Sequence, residues 1–120
     1  MGTLLISRLQ HEMHEWRKHN FGDDTDDMAL GNDDSVEQFM GVVEEVGELS
    51  HIILKSRQGI RNMDRITAEE LEADAVADIF IFLAGYCSRR RIDMEYVILK
   101  TWDRVGKRDW VKYPGNGVSE

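Results

Sequence analysis

Apolar residues recur every three or four positions along most of the chain, which is the spacing expected of α-helices with one buried face. The first such run predicts a helix from Thr3 to about His19, ended by the segment 20–22. The next residues, 22–34, are acidic and rich in turn formers, so they predict a loop. The apolar stripe of the first helix consists of Leu5, Leu9, Met13 and Trp16.

Capping signatures open the next two predicted helices. Ser35, with Gln38 three positions later, forms a capping box ahead of an apolar run that a glycine, Gly59, should end. Thr67 and Glu70 repeat this signature and predict the start of a third helix.

The third helix carries the most apolar part of the chain. It is predicted to run toward Arg90, and its middle, residues 79–83, is apolar on every side. Asp93 should cap a fourth helix, and a tail from 114 to 120 should be flexible. Four helices cannot cover so apolar a segment alone, so we expect an all-α bundle, domain 1–113, completed by homodimerisation.

Composition and charge exclude several classes of protein. A chain of 120 residues suits one domain, and a formal net charge of −8 opposes binding to a nucleic acid duplex. The longest apolar run, residues 79–84, is far shorter than the roughly 20 residues that cross a bilayer, so no membrane partner is expected. We expect no secretion signal, because the N-terminus has no basic segment ahead of a long apolar one, and the single cysteine, Cys87, cannot form an internal disulfide. The expected compartment is the cytoplasm.

Five carboxylates form the strongest chemical signal. Glu44, Glu45 and Glu48 crowd one edge of the second helix, and Asp74 and Asp78 share a face of the third. If these helices are antiparallel, their acidic edges can face each other and form a cage of oxygen ligands, which suits Mg²⁺ or Mn²⁺. The alternative is an ordinary solvated acidic face.

Four motifs together resemble a known family. They are E-E-V-G-E-L, a loop containing Q-G-I-R, D-A-V-A-D-I-F-I-F-L and T-W-D-R-V-G-K-R-D-W. Over the span from about Trp16 to Trp110 this pattern resembles the MazG-like branch of the all-α NTP pyrophosphohydrolases. The resemblance implies Mg²⁺-dependent hydrolysis of a nucleoside triphosphate to the monophosphate and pyrophosphate, in the cleaning of nucleotide pools, by a homodimer or a tetramer.

The resemblance also implies roles for individual carboxylates. Glu45 and Glu48 correspond to the first metal-binding pair, Glu44 supports them or orients the water, and Asp78 is the final ligand. The chain departs from the family at Ala75, where a Glu is usual. Asp74, one residue earlier, lies on almost the same face and can replace it as a ligand with a shorter side chain.

Other residues are candidates for binding the nucleotide. In similar proteins an aromatic residue and an amide near the end of the first helix contact the base, which implies Trp16, Asn20 and Phe21. Trp16 can also simply continue the apolar core stripe of its helix. Lys55 and Lys107 are candidate contacts for the phosphates.

Two rival functions remain. Ala75 leaves open a MazG-like helical module that binds a nucleotide or a protein partner without turnover. The acidic loop leaves open a calcium-binding protein that depends on Asp23 and Asp27, although the loop lacks the glycine and the final Glu of an EF-hand.

Overall fold

The computed structural model describes residues 5–21 and 35–119, and within these ranges it contains four α-helices and no strand. The predicted all-α class and the number of helices are therefore confirmed. The predicted start at Thr3, the acidic loop 22–34 with Asp23 and Asp27, and the backbone before Ser35 lie outside the described residues. The helices are α1 (Leu5–Phe21), α2 (Ser35–Gln58), α3 (Arg65–Arg89) and α4 (Met94–Val105).

Two predicted helix boundaries are confirmed and one is wrong. Gly59 follows the last residue of α2 with a positive φ of 69°, and the side chain of Asp93 caps α4 by accepting from the backbone N–H of Tyr96. The third helix is capped by Asp64, not by Thr67, because the Asp64 carboxylate accepts from the Thr67 N–H at 2.8 Å. Thr67 therefore lies in the first turn of α3, and its backbone N–H donates to the capping side chain.

The helices α2 and α3 form an antiparallel pair, as the short connection predicts. Early residues of α2 meet late residues of α3: the Gln38 side chain lies over Gly85, and Gly41 is packed against the Phe82 ring. Farther along α2, Ile52 packs in a buried cluster with residues from the first half of α3. This arrangement lays the acidic stretch of α2 beside the middle of α3.

The start of α1 is fixed by the start of α4. The buried Glu95 side chain accepts from the backbone N–H of Ile6 at 2.9 Å, which satisfies a donor that the first turn of a helix leaves without a partner. Gln10 then donates to the Ile92 carbonyl at 2.8 Å and accepts from the Met94 N–H at 3.1 Å. These bonds hold α1 across the end of α3, which sets the position of its C-terminal half beside α2.

The buried core of the described residues is small. One buried cluster consists of Ile52, Ala68 and Ala75, and the other of Ala84, Cys87 and Met94. The Cα radius of gyration is 18.3 Å, against about 13 Å for a compact domain of 100 residues. Many large apolar side chains of the described residues are accordingly exposed.

None of the described helices is both long and apolar enough to cross a membrane.

Beyond α4 the chain continues in hydrogen-bonded turns. Gly117 donates to the Tyr113 carbonyl at 2.8 Å, and its own carbonyl accepts from the Asp109 N–H at 2.7 Å. The Asn116 side chain accepts hydrogen bonds from the backbone N–H groups of Val118 and Ser119. The flexibility expected for 114–120 stays a prediction.

Candidate functional site

The acidic edge of α2 lies beside the middle of α3. Glu44 and Glu48 are exposed, whereas Glu45 is half-buried. Partial burial raises the pKa of Glu45, and the negative charges of Asp78, Glu44 and Glu48 raise it further. Asp78 is on α3, so the antiparallel packing brings together two carboxylates that are 33 positions apart in the sequence.

Position 75, where the resemblance leads us to expect Glu, lies in the core. Ala75 is 4% exposed and packs with Ile52 and Ala68, so a Glu here would replace an apolar contact between α2 and α3. Asp74 is exposed, and its charge is not among those that raise the pKa of Glu45. Of the two candidate aspartates, Asp78 is the one that this packing brings to Glu45.

The donor chemistry of this edge fits a hard divalent cation. Glu45 and its three neighbours Glu44, Glu48 and Asp78 are all carboxylates. The repulsion that the three exert on Glu45 is of the kind that a bound cation relieves. Within residues 5–21 and 35–119, however, no three His, Cys, Asp or Glu side chains converge closely enough to hold a metal ion.

Beside the acidic edge is a cavity of about 240 Å³ between α1, α2 and α3. We refer to it as the interhelical cavity. Asp78 belongs both to its wall and to the acidic edge, so the two features are adjacent. The lining residues are Met13, Trp16, Arg17, Gln38, Asp78, Ile81, Phe82 and Gly85.

The aromatic residues at the end of α1 are not core residues. Trp16 is 55% exposed, so it does not continue a buried stripe within this chain, and its contact with a base stays a prediction. Phe21 is 75% exposed and meets the Trp16 ring edge-on at a centroid distance of 5.9 Å. The Asn20 amide donates to the Trp16 carbonyl at 2.8 Å and so closes the last turn of the helix. Trp16 alone of these three lines the cavity.

The two candidate lysines lie away from this cavity. The Lys55 ammonium donates to Gln58 at 3.0 Å on its own helix. Lys107 lies 3.4 Å from the Asp103 carboxylate, and both of these side chains are about three-quarters exposed. The structure therefore does not bring either cation to the wall of the interhelical cavity.

Two polar residues of the cavity were missed by the sequence interpretation. Arg17 is buried, at 7% exposure, although it is charged and follows the exposed Trp16. Its guanidinium and the Gln38 side chain both lie over Gly85, where an added Cβ would overlap Gln38 Oε1 and come within 2.7 Å of Arg17 Nη1. Gly85 was the available signal, because glycine inside a helix costs about 1 kcal/mol and often marks a close approach.

His14 helps to hold Arg17 in place. Burial lowers the pKa of His14, and the positive charges of Arg17, Lys18 and Arg89 lower it further. The imidazole is therefore neutral near pH 7, and Nδ1 accepts a hydrogen bond from Arg17 Nη2 at 2.9 Å.

Cys87, in the second core cluster, is a buried ionisable group outside the site, as are Arg89 and Glu95. Burial raises the pKa of the Cys87 thiol, as expected for a small core residue.

Comparison with known proteins returns no relative. Neither a family model, nor a curated protein, nor a solved structure matches this chain.

Proposed function

We propose that this protein hydrolyses a nucleoside triphosphate to the monophosphate and pyrophosphate. The observation that carries the proposal is the approach of Asp78 to Glu45, which places the acidic edges of two antiparallel helices next to an aromatic-lined cavity. A triphosphate would use both parts, since its base stacks on an aromatic ring and the carboxylates would hold the divalent cation that its phosphates require as a counter-charge. The MazG-like motifs of the sequence support the same activity.

Glu45, Glu48 and Asp78 are the residues we propose to hold Mg²⁺, with Mn²⁺ as a substitute and Asp74 as a further ligand. When bound, Mg²⁺ supplies a Lewis acid and positive charge for the phosphoryl oxygens. The protein's own repulsion favours this binding, because ionised Glu45 lies among three other carboxylates.

Trp16, Asp78 and Glu44 have the remaining roles in the proposed reaction. Trp16 presents its ring to the base, and Asp78, shared by the cavity and the acidic edge, fixes the direction in which the phosphates extend. A carboxylate oxygen of Glu44 orients the water that attacks the α-phosphorus and accepts its proton. The bond to the β-phosphate breaks, and pyrophosphate leaves.

We propose further that two copies of the chain pair through α2. An apolar stripe on this helix is about half exposed and borders a groove of about 500 Å³, and exposed apolar surface of this kind often marks a protein interface. We also propose that the dimers assemble into tetramers and that the protein cleans nucleotide pools in the cytoplasm. The stripe consists of Val36, Phe39, Met40 and Val43.

The test is release of pyrophosphate from a panel of nucleoside triphosphates with Mg²⁺. We expect release by the wild type and a loss of at least about 100-fold in kcat for Glu48→Gln and Asp78→Asn, since each removes a charge that acts on the metal. Glu70→Gln and Asp103→Asn are matched controls, because they neutralise exposed carboxylates elsewhere on α3 and α4. No release from any triphosphate, with Mn²⁺ also tried, would refute the proposal.

The core position of Ala75 favours a second candidate function. Without a carboxylate there, the site holds fewer metal ligands than the family pattern, and the chain could bind a nucleotide or a partner without hydrolysing it. Nucleotide binding with no pyrophosphate release would identify this function.

A further inference from the structure

Three polar residues share one face of α1, because Ser7, His11 and His14 are spaced by four and three positions. This face borders an open cleft of about 330 Å³ between α1 and the junction of α3 with α4. We refer to it as the junction cleft. Among the described residues, it shares no lining residue with the interhelical cavity. The rest of its wall consists of Gln10, Ser88, Arg91, Ile92 and Asp93.

The hydrogen bond to Arg17 determines which proton His14 offers to this cleft. A guanidinium can only donate, so His14 Nδ1 is the acceptor of the 2.9 Å bond from Arg17 Nη2. The neutral ring therefore carries its proton on Nε2. Because Arg17 lines the interhelical cavity and His14 lines the junction cleft, Nε2–H is the ring donor that remains for a group in the cleft.

The other polar groups of the junction cleft are mostly donors as well. The hydroxyl groups of Ser7 and Ser88 and the ring of His11 can each donate a hydrogen bond. The acceptors on the wall are already used by the protein. The Ile92 carbonyl accepts from a side-chain amide at 2.8 Å, and Asp93 Oδ1 accepts from a backbone N–H in the first turn of α4 at 3.1 Å.

Positive charge surrounds this cleft in a chain whose formal net charge is −8. Burial lowers the pKa of the His14 ring most, and nearby positive charges lower it further. These charges belong to Arg17, Lys18 and Arg89, and each has a larger effect than the opposing charge of Glu15. All three already make contacts within the protein, so we assign them only this long-range effect on a ligand. The potential at the wall of the cleft favours an anion.

We propose that the junction cleft binds a phosphate group. Phosphate oxygens accept hydrogen bonds and carry negative charge, so they match a wall of donors in a positive potential. The donors are the Ser7 and Ser88 hydroxyls, the His11 ring and His14 Nε2–H. Arg91 makes a contact within the protein and is assigned no hydrogen bond to the ligand. The site is independent of the proposed hydrolysis, with which it shares no residue.

The test is calorimetric titration of the full-length protein with inorganic phosphate and with pyrophosphate, at constant ionic strength and with a chelator of divalent cations. Without such cations the acidic edge of α2 repels both anions, so the heat reports the junction cleft. We expect saturable binding with a Kd of about 1 mM or less. Binding of either anion supports the proposal, and the tighter of the two shows whether the ligand carries one phosphate group or two. No saturation by either anion at about 10 mM would overturn it.

Single substitutions test the donors. His11→Ala and Ser88→Ala each remove one donor and should weaken binding about tenfold, because a hydrogen bond to a charged group is lost. His19→Ala on the same helix and Ser56→Ala on α2 are matched controls outside the cleft, and they should bind within about twofold of the wild type. His11 is exposed, so its replacement leaves the fold intact. Equal affinities for all four variants would contradict the proposal.

NMR of the imidazole rings locates the bound anion. Phosphate should shift the ring signals of His11 and His14, which line the cleft, and leave those of His19 and His51 in place. Shifts of equal size at all four rings would show that the anion binds without this site, and would overturn the proposal.

Discussion

Ionisation of Glu45 costs the folded protein free energy. Its pKa is raised, so the cost is present at pH values above that folded pKa and disappears as the pH falls through it. We predict that Glu45→Gln is more stable than the wild type at pH 7, and that the difference shrinks toward zero as the pH falls through the folded pKa and below the ordinary value of 4.5. Urea unfolding of both proteins at several pH values measures this. Equal stability at pH 7 would contradict the repulsion that we assign to this residue.

The pKa of His14 is lowered, whereas that of Glu45 is raised. The folded pKa of His14 lies below the ordinary value of 6.5, so its neutral form contributes stability that is present above pH 6.5 and is lost as the pH falls through the folded pKa. We predict an NMR titration midpoint below 6.5 for the His14 ring in the folded protein. His14→Asn should remove this part of the acid sensitivity. A midpoint at or above 6.5 would mean that the ring does not lie among Arg17, Lys18 and Arg89 in solution.

At the scale of single residues, the sequence predicted which charged residues cluster on one helix better than it predicted contacts between helices. The spacing of Glu44, Glu45 and Glu48 is a property of one helix, so it could be recognised before any packing was known. The burial of Arg17 depends on Gln38 and Gly85 from two other helices, and no periodicity within α1 contains that information. For the same reason Trp16, which fits the apolar stripe of its helix, is nevertheless half exposed.

Two glycines inside helices provide a matched test at the scale of the element. A Cβ at Gly47 would meet nothing within 4 Å, whereas a Cβ at Gly85 would overlap Gln38 and Arg17. We predict that Gly47→Ala stabilises the protein by up to about 1 kcal/mol, because alanine is the better helix former. Gly85→Ala should destabilise it and weaken nucleotide binding. Urea unfolding measures both, and a similar effect at the two positions would contradict the close packing at Gly85.

The number of helices and most of their ends could be predicted because they depend on local chemistry. Gly59 and Asp93 act within a few residues of themselves, and both were recognised. Asp64 was missed because Thr67 also fits a capping signature, and only backbone geometry shows which side chain accepts the hydrogen bond. Packing of α2 on α3 follows from their short connection, but the pairing of Glu45 with Asp78 depends on a register that the sequence alone does not specify.

At the scale of the whole molecule, the exposed stripe of α2 predicts a dimer. The wild type should elute with the mass of at least two chains in light-scattering chromatography, and Met40→Asp should yield monomers because a charge in an apolar interface is costly. Val111→Asp, at a site that is 96% exposed and outside α2, should leave the assembly intact. A wild type that is monomeric at micromolar concentration would contradict this interface.

The most direct test of a divalent-cation site between α2 and α3 is the unfolding temperature with and without Mg²⁺. A cation that binds only the folded chain stabilises it in proportion to the logarithm of its concentration. We predict that millimolar Mg²⁺ raises the unfolding temperature of the wild type and of Asp103→Asn, and that Asp78→Asn and Glu48→Gln lose this increase. Equal unfolding temperatures for the wild type with Mg²⁺, with Mn²⁺ and without either ion would contradict the site and the hydrolysis that depends on it.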